Sequence, residues 1–204
     1  MLDKKEYFKQ YYQINKLNLI KSISQWQKKN KKKVASYKTK CKHNRRNELR
    51  SILNEIKQNS NCECGESYHK CLEFHHLDKS LKIENVSKMI NKCVSVDIFK
   101  NEIKKCKIMC SNCHRKLHFY KTPTNRALKF KIAYKTKTVV GCKFCNEKHY
   151  ACLDFHHLHN KIDTIGNMTK QKKYNLSDIT NEIKKCIVIC TNCHRKLHDN
   201  ILFI

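Results

Sequence analysis

The stretch Cys110-Ser111-Asn112-Cys113-His114-Arg115-Lys116-Leu117-His118 returns almost unchanged as Cys190-Thr191-Asn192-Cys193-His194-Arg195-Lys196-Leu197-His198, after the lead-ins EIKKCKIM and EIKKCIVI. A second stretch repeats upstream, with Cys71-Leu72-Glu73-Phe74-His75-His76-Leu77 matching Cys152-Leu153-Asp154-Phe155-His156-His157-Leu158. The offsets are 80 (190 − 110) and 81 (152 − 71), so the chain carries two copies of one unit. Units of roughly 80 residues bury little apolar surface, and small domains of this kind lean on metals or disulfides. The duplicated cysteines and histidines mark where that support, and the chemistry, must sit.

Fourteen cysteines among 204 residues could serve either purpose. The N-terminus MLDKKEYFKQ is charged, no signal-peptide core appears, and no apolar run approaches the ~20 residues of a membrane span. The expectation is an intracellular protein, cytoplasmic or nuclear, in which Cys-x-x-Cys pairs near histidines are zinc ligands rather than a disulfide framework. Lys and Arg exceed Asp and Glu by 27 (44 − 17), a field that attracts polyanions with strong salt dependence. Nucleic acid is the expected partner, duplex DNA before RNA. The competing account of the charge is a lysine-rich coding bias, in keeping with only three Gly and one Pro. No clean basic amphipathic face argues for a membrane surface.

Three segments follow: a basic arm over residues 1–42, a first unit over 43–120 and a second over 121–204. The arm carries Lys4, Lys5, Lys9, Lys28, Lys29, Lys31, Lys32, Lys33, Lys38 and Lys40 among Tyr7, Tyr11, Tyr12, Trp26 and Tyr37. With no Gly or Pro it is predicted to be helical. Either its lysines meet phosphates and its rings meet bases or sugars, or it is a solvated helix whose aromatics pack on the rest of the protein. The repeats align from Asn44-Arg45 and Asn125-Arg126, and Pro123 marks a hinge. Each unit then predicts a basic amphipathic helix (Glu48 to Lys57; Leu128 to Lys135), a cysteine knuckle, a short strand ending in His-His, a variable connection and a final Cys-x-x-Cys-His-x-x-x-His.

In the second unit Cys142, Cys145, Cys190 and Cys193 supply the four thiolates of a tetrahedral structural zinc site, whose binding energy is also folding energy. The first unit offers Cys62, Cys64, Cys110 and Cys113, but Cys62 is displaced by one residue, giving Cys-x-Cys. Either Cys62 reaches the metal through a strained turn, or this unit binds zinc weakly. Cys71, Cys106, Cys152 and Cys186 also repeat and suit small core side chains. Cys41 and Cys93 have no counterparts. His114 with His118, and His194 with His198, stand at i and i+4, so on a helix each pair projects from one face and can grip one ion. A third ligand must come from His75-His76 and His156-His157. Neighbours on a strand point to opposite sides, so one of each pair joins the ion and the other is left as a base near neutral pH. The plainer alternative is a second, purely structural zinc.

Together these motifs resemble the HNH endonuclease family in its compact zinc-stapled form, with a Cys-x-x-Cys knuckle, an L-D-F-H-H strand and a C-x-N-C-H-R-K-L-H helix, over residues 60–118 and 141–198. The resemblance implies an α+β fold, two tandem ββα-metal units each stapled by one four-cysteine zinc, behind a basic helical arm. It implies that His76 and His157 are general bases that take a proton from the attacking water. His75, His114 and His118, and likewise His156, His194 and His198, would hold a catalytic divalent ion (Mg2+, Mn2+, Zn2+ or Ni2+) that neutralises the scissile phosphate. The implied activity is DNA phosphodiester hydrolysis leaving 5′-phosphate and 3′-hydroxyl ends, by a monomer acting as a covalent pseudo-dimer. Two departures stand out. Lys105 and Lys185 occupy the place of the family's middle asparagine, which orients the base; the nearest candidates are Asn101, Asn112, Asn181 and Asn192. The irregular first knuckle, with Glu73 where the second unit has Asp154, makes the second unit the choice if only one cuts. The reading from another class is a non-catalytic zinc module that binds DNA or RNA; a ribonuclease of the same fold is a third.

Overall fold

The order helix, strand, two-helix crossover, strand, helix occurs twice in the computed structural model, which describes residues 3–119 and 128–204. Pro123 and the Asn125-Arg126 pair lie outside the described residues. In the first unit α2 (Lys31–Gln58) leads to β1 (Leu72–His76), α3 (Val86–Lys92), α4 (Val96–Ile103), β2 (Cys106–Cys110) and α5 (Ser111–Leu117). In the second, α6 (Leu128–Val140) leads to β3 (Leu153–His157), α7 (Ile165–Met168), α8 (Leu176–Lys184), β4 (Cys186–Cys190) and α9 (Thr191–His198). The molecule is a mixed helical and sheet structure, with two separate two-stranded sheets.

Each sheet is an antiparallel ribbon in the same register. Leu72 faces Cys110 and His76 faces Cys106; Leu153 faces Cys190 and His157 faces Cys186. The strands are joined through helices rather than a tight turn, so the segments expected to be variable connections are helical in both units. Local chemistry starts these helices. Ser95 accepts a bond from the Ile98 N–H at 3.4 Å to cap α4, while Asn175 and Asp178 form a reciprocal capping box on α8. Phe99 and Ile103 on α4, one turn apart, close over Leu49 of α2 and Val86, Met89 and Ile90 of α3. Ile179 on α8 packs likewise against Ala133, Ile165 and Met168.

The strands run straight into the terminal helices, and Cys110 and Cys190 make both junctions. Their sulfurs cap α5 and α9, accepting from the N–H groups of Cys113 and Cys193 at 3.4 Å.

Among the described residues the aromatic rings of the arm do not pack on the rest of the protein. α1 (Lys4–Lys29) buries no residue, and Tyr7, Tyr11, Tyr12, Trp26 and Tyr37 are all exposed. The bland alternative, an arm whose rings are packed away, is not what the chain does. The boundary at residue 42 falls inside α2, which continues unbroken until Leu49 docks in the first core.

The two units face each other through reciprocal contacts, the pattern of an isologous interface formed within one chain. The Asn112 N–H donates to Asn192 Oδ1 and the Asn192 N–H to Asn112 Oδ1, each at 3.3 Å. The Cys71 thiol donates to the Asn192 carbonyl at 3.4 Å, and the Cys152 thiol to the Asn112 carbonyl at 3.3 Å. Lys116 pairs with Glu147 at 2.7 Å, and Lys196 with Glu66 at 2.8 Å.

Truncating Phe99, which is fully buried, is expected to cost about 3–5 kcal/mol in Phe99→Ala, whereas Trp26→Ala on the exposed arm should stay within about 0.5 kcal/mol. Denaturant unfolding of the two variants measures the contrast.

Candidate metal centre

Two clusters of four cysteines and two of three histidines bring their ligand atoms within 4.8 Å of one another among the described residues. In the thiol clusters the knuckle before the first strand of each unit meets the strand-to-helix junction. Cys64 Sγ lies 3.6 Å from Cys110 Sγ, and Cys145 Sγ 3.7 Å from Cys190 Sγ. With zinc–sulfur bonds of about 2.3 Å a tetrahedral edge is about 3.8 Å, so the donor sets match a structural zinc in size and chemistry.

The displaced Cys62 is included. Its shortened knuckle closes because Gly65 takes φ +89°, a conformation that side chains disfavour, while the Cys62 N–H donates to the Glu66 carbonyl at 2.8 Å. The second knuckle has one more residue before Glu147 and closes the same bond, Cys142 N–H to the Glu147 carbonyl at 2.9 Å, without a glycine inside.

Crowding four thiols makes them share charge unevenly. Burial pushes Cys62 up, but the backbone N–H groups of Cys64 and Cys110 prevail and bring it down to about 7. Hydrogen bonds from Cys190 and Cys193 hold Cys142 far below the ordinary thiol range, while Cys193 is driven up by its bonds to Cys142 and Cys190. A central divalent cation relieves that conflict by favouring the thiolate at every sulfur. Cys71 and Cys152 face no such partners: burial raises both to about 12, in keeping with core thiols.

The histidine clusters sit at the other side of each ribbon. His75 on β1 meets His114 on α5 and His118 at the C-cap of that helix, with ring centroids 5.1 and 5.0 Å away. His156 on β3 meets His194 and His198 on α9 at 5.0 and 5.3 Å. His114 Nε2 stands 3.1 Å from His118 Nε2, and His194 Nε2 stands 3.0 Å from His156 Nδ1. An ion with bonds of about 2.0–2.1 Å to nitrogen needs an edge near 3.3 Å, so three imidazoles fit one cation and leave a coordination position for another group. Burial, then the positive fields of neighbouring histidines, lowers His75 and His156, which favours the neutral, ligating form.

Each cluster is braced from behind. Glu73 Oε2 lies 2.5 Å from His114 Nδ1, Ser111 Oγ donates to Glu73 at 2.8 Å, and Arg195 of the other unit also reaches this carboxylate. Asp154 takes the matching place, 3.7 Å from His194 Nδ1, with Thr191 at 3.4 Å and Arg115 of the first unit at 2.9 Å. The Glu-to-Asp difference therefore preserves the role, the shorter side chain standing farther from its imidazole. Burial pushes Glu73 up, but the bonds from His114 and Ser111 and the charge of Arg195 outweigh it and hold it at about 2.

Alternation sends His76 and His157 to the opposite side from His75 and His156. His76 is only 8 % exposed, with Nε2 2.9 Å from Oε1 of the fully buried Glu102; His157 Nε2 stands 3.0 Å from Glu182 Oε1. Glu102 also accepts from the Ile83 N–H at 2.8 Å and pairs with Lys105 at 2.8 Å, while Glu182 accepts from the Ile162 N–H at 2.8 Å and pairs with Lys185 at 2.7 Å. These carboxylates are the residues that sequence reasoning missed, and their only trace was the repeated E of EIKKC. None of the four asparagine candidates does their work: Asn112 and Asn192 lie in the seam between units, and Asn101 and Asn181 are exposed. His76 nevertheless borders the same cleft as His75, His114 and His118, a space of about 530 Å³ that Lys57, Lys79 and Lys82 also line.

No family model, curated protein or solved structure matches this chain. No helix among the described residues is long and apolar enough to cross a membrane.

Elemental analysis is expected to find two tightly held ions in the thiol sites. Cys62→Ser should remove one of them, and Cys71→Ser should remove neither. Acid titration offers a second check. Glu73 is held near 2 in the folded chain against an ordinary 4.5, so the unfolded chain binds the extra proton between those values. Stability from this group is fully present above about pH 4.5 and is lost as pH falls toward 2. Denaturant unfolding at several pH values in that window should show a shallower acid slope for Glu73→Gln than for wild type.

Proposed function

We propose that the protein is a metal-dependent DNA endonuclease of the HNH type, with one site in each unit. The observation that carries the reading is the trio of imidazoles bordering, with a fourth histidine held by a buried carboxylate, one basic cleft. A structural zinc would be closed by four protein ligands and need no neighbouring base, whereas the trio leaves one position open. The duplicated ribbon-and-helix arrangement, the thiol staples and the surplus of 27 positive charges support the same reading.

His75, His114 and His118 would hold a divalent ion, as would His156, His194 and His198 in the second unit. When bound there, such an ion supplies Lewis-acid polarisation of a phosphoryl oxygen and stabilises charge on the departing oxygen. An all-imidazole donor set favours Zn2+ or Ni2+ over Mn2+ and Mg2+ on ligand softness. Glu73 and Asp154 orient one ligand each from behind. His76 and His157 accept a proton from the attacking water; Glu102 fixes the His76 ring from the other nitrogen, the task of the family's asparagine, and Glu182 stands in the matching place 3.0 Å from His157 Nε2. Lys105 and Lys185, which stand where that asparagine would, anchor these carboxylates instead. Lys57, Lys79 and Lys82 bring positive charge to the cleft where a phosphate would lie, and the exposed arm adds lysines with exposed aromatic rings.

The ground for preferring the second unit was the irregular first knuckle. With Cys62 in the thiol cluster and Glu73 bonded to His114, the first unit is as fully equipped as the second. Two working units in one chain would cut both strands, and one would nick.

Plasmid cleavage with each divalent ion tests this directly. Wild type is expected to linearise supercoiled DNA, His76→Ala and His157→Ala each to leave a nicking enzyme, and the double variant to lose cleavage by ~100-fold or more while still binding DNA. Supercoiled plasmid left intact by wild type with every ion, or cut equally by the double variant, would refute the enzyme and leave a zinc-dependent nucleic-acid-binding module.

A further inference from the structure

Arg115 and Arg195 follow the ligands His114 and His194 in their helices, yet each points into the opposite unit. Arg195 reaches the Glu73 carboxylate and donates from Nη1 to the Lys70 carbonyl at 2.9 Å. Arg115 donates to Asp154 Oδ1 at 2.9 Å and to the Ala151 carbonyl at 3.3 Å. In both cases one carboxylate oxygen is taken by the foreign guanidinium and the other faces Nδ1 of a metal-site histidine. The Glu73 carboxylate bonded to His114 Nδ1 selects the tautomer whose Nε2 is free to ligate, Asp154 stands in the matching place 3.7 Å from His194 Nδ1, and His114 Nε2 and His194 Nε2 are the atoms that enter the histidine clusters.

Resting on the metal-site reading above, we propose that Arg195 and Arg115 are positioning residues in trans: each sets the metal affinity of the three-histidine site in the other unit. A single helix thus supplies a ligand to its own site and a brace to its neighbour's. The planar fork can hold a main-chain carbonyl and a carboxylate together, which a single amine does less well. Neither histidine site is complete within its own unit.

Cobalt(II) binding to the zinc-loaded full chain, followed by the visible spectrum of the histidine-bound ion, tests this without any cleavage assay. With the second site silenced by His194→Ala and His198→Ala, only the first is read. In that background Arg195→Met is expected to weaken cobalt binding roughly 10- to 100-fold, with both structural zincs retained. Lys196→Met removes a neighbouring ion pair across the same seam and should leave the affinity alone. Unchanged affinity in Arg195→Met, or an equal loss in Lys196→Met, overturns the proposal. Should Arg195→Met shed its structural zinc, Arg195→Lys takes its place, with weakened binding expected and parental affinity overturning the idea. A parent that binds no cobalt through its histidines would overturn both this inference and the metal-site reading, whereas cobalt binding indifferent to Arg195 would overturn this inference alone.

Discussion

A two-stranded ribbon of five residues a strand is marginal in water, and each unit hangs its candidate chemistry on one. The ribbon needs fastening at both ends. At one end it is closed by thiols, where Cys110 and Cys190 are at once the last strand residue, the helix cap and a member of the sulfur cluster. At the other, Glu102 and Glu182 bond the loop that leaves the first strand; Glu102 also bonds the second histidine, His76, and Glu182 stands 3.0 Å from His157. Between the two, strand alternation divides adjacent histidines between a cluster facing the terminal helix and a buried carboxylate on the crossover helix.

What was legible in the sequence was local. The pairs His114/His118 and His194/His198 are one helical turn apart, and a two-residue strand period separates His75 from His76, so spacing called for one histidine of each strand pair to join the helix pair, while the resemblance supplied which one. Glu102 was illegible because its contact with His76 spans 26 residues, and an acid just before the paired Lys104 and Lys105 reads as solvated surface. Cys62 was ambiguous because its reach depends on the left-handed turn at Gly65. The cores of the crossover helices were passed over as variable connection, although Phe99 and Ile179 occupy equivalent places in them.

The opening nonapeptide also carried more than ligands. Four of its positions bind within their own unit, two cysteines and two histidines. Its asparagine, arginine and lysine all reach across the seam to the other copy. Sequence reasoning counted the first among four candidates for an orienting residue and the other two as part of a general basic field, because a partner that lies in a second copy of the same motif leaves no mark on its spacing. That division gives a physical reason for the copies to match most closely in this stretch: a change in one half alters contacts in both.

The unbroken course of α2 has a mechanical side. Leu49 is clamped in the first core while Lys31, Lys32 and Lys33 lie about five turns away, at ~1.5 Å per residue some 27 Å along the same rod. A rod of that kind acts as a ruler. A polyanion gripped by those lysines would be held at a set distance from the histidine cleft, so the interval between the point of grip and the cleft would be measured by helix length and would change in steps of about 1.5 Å with each residue inserted or removed between Lys33 and Leu49.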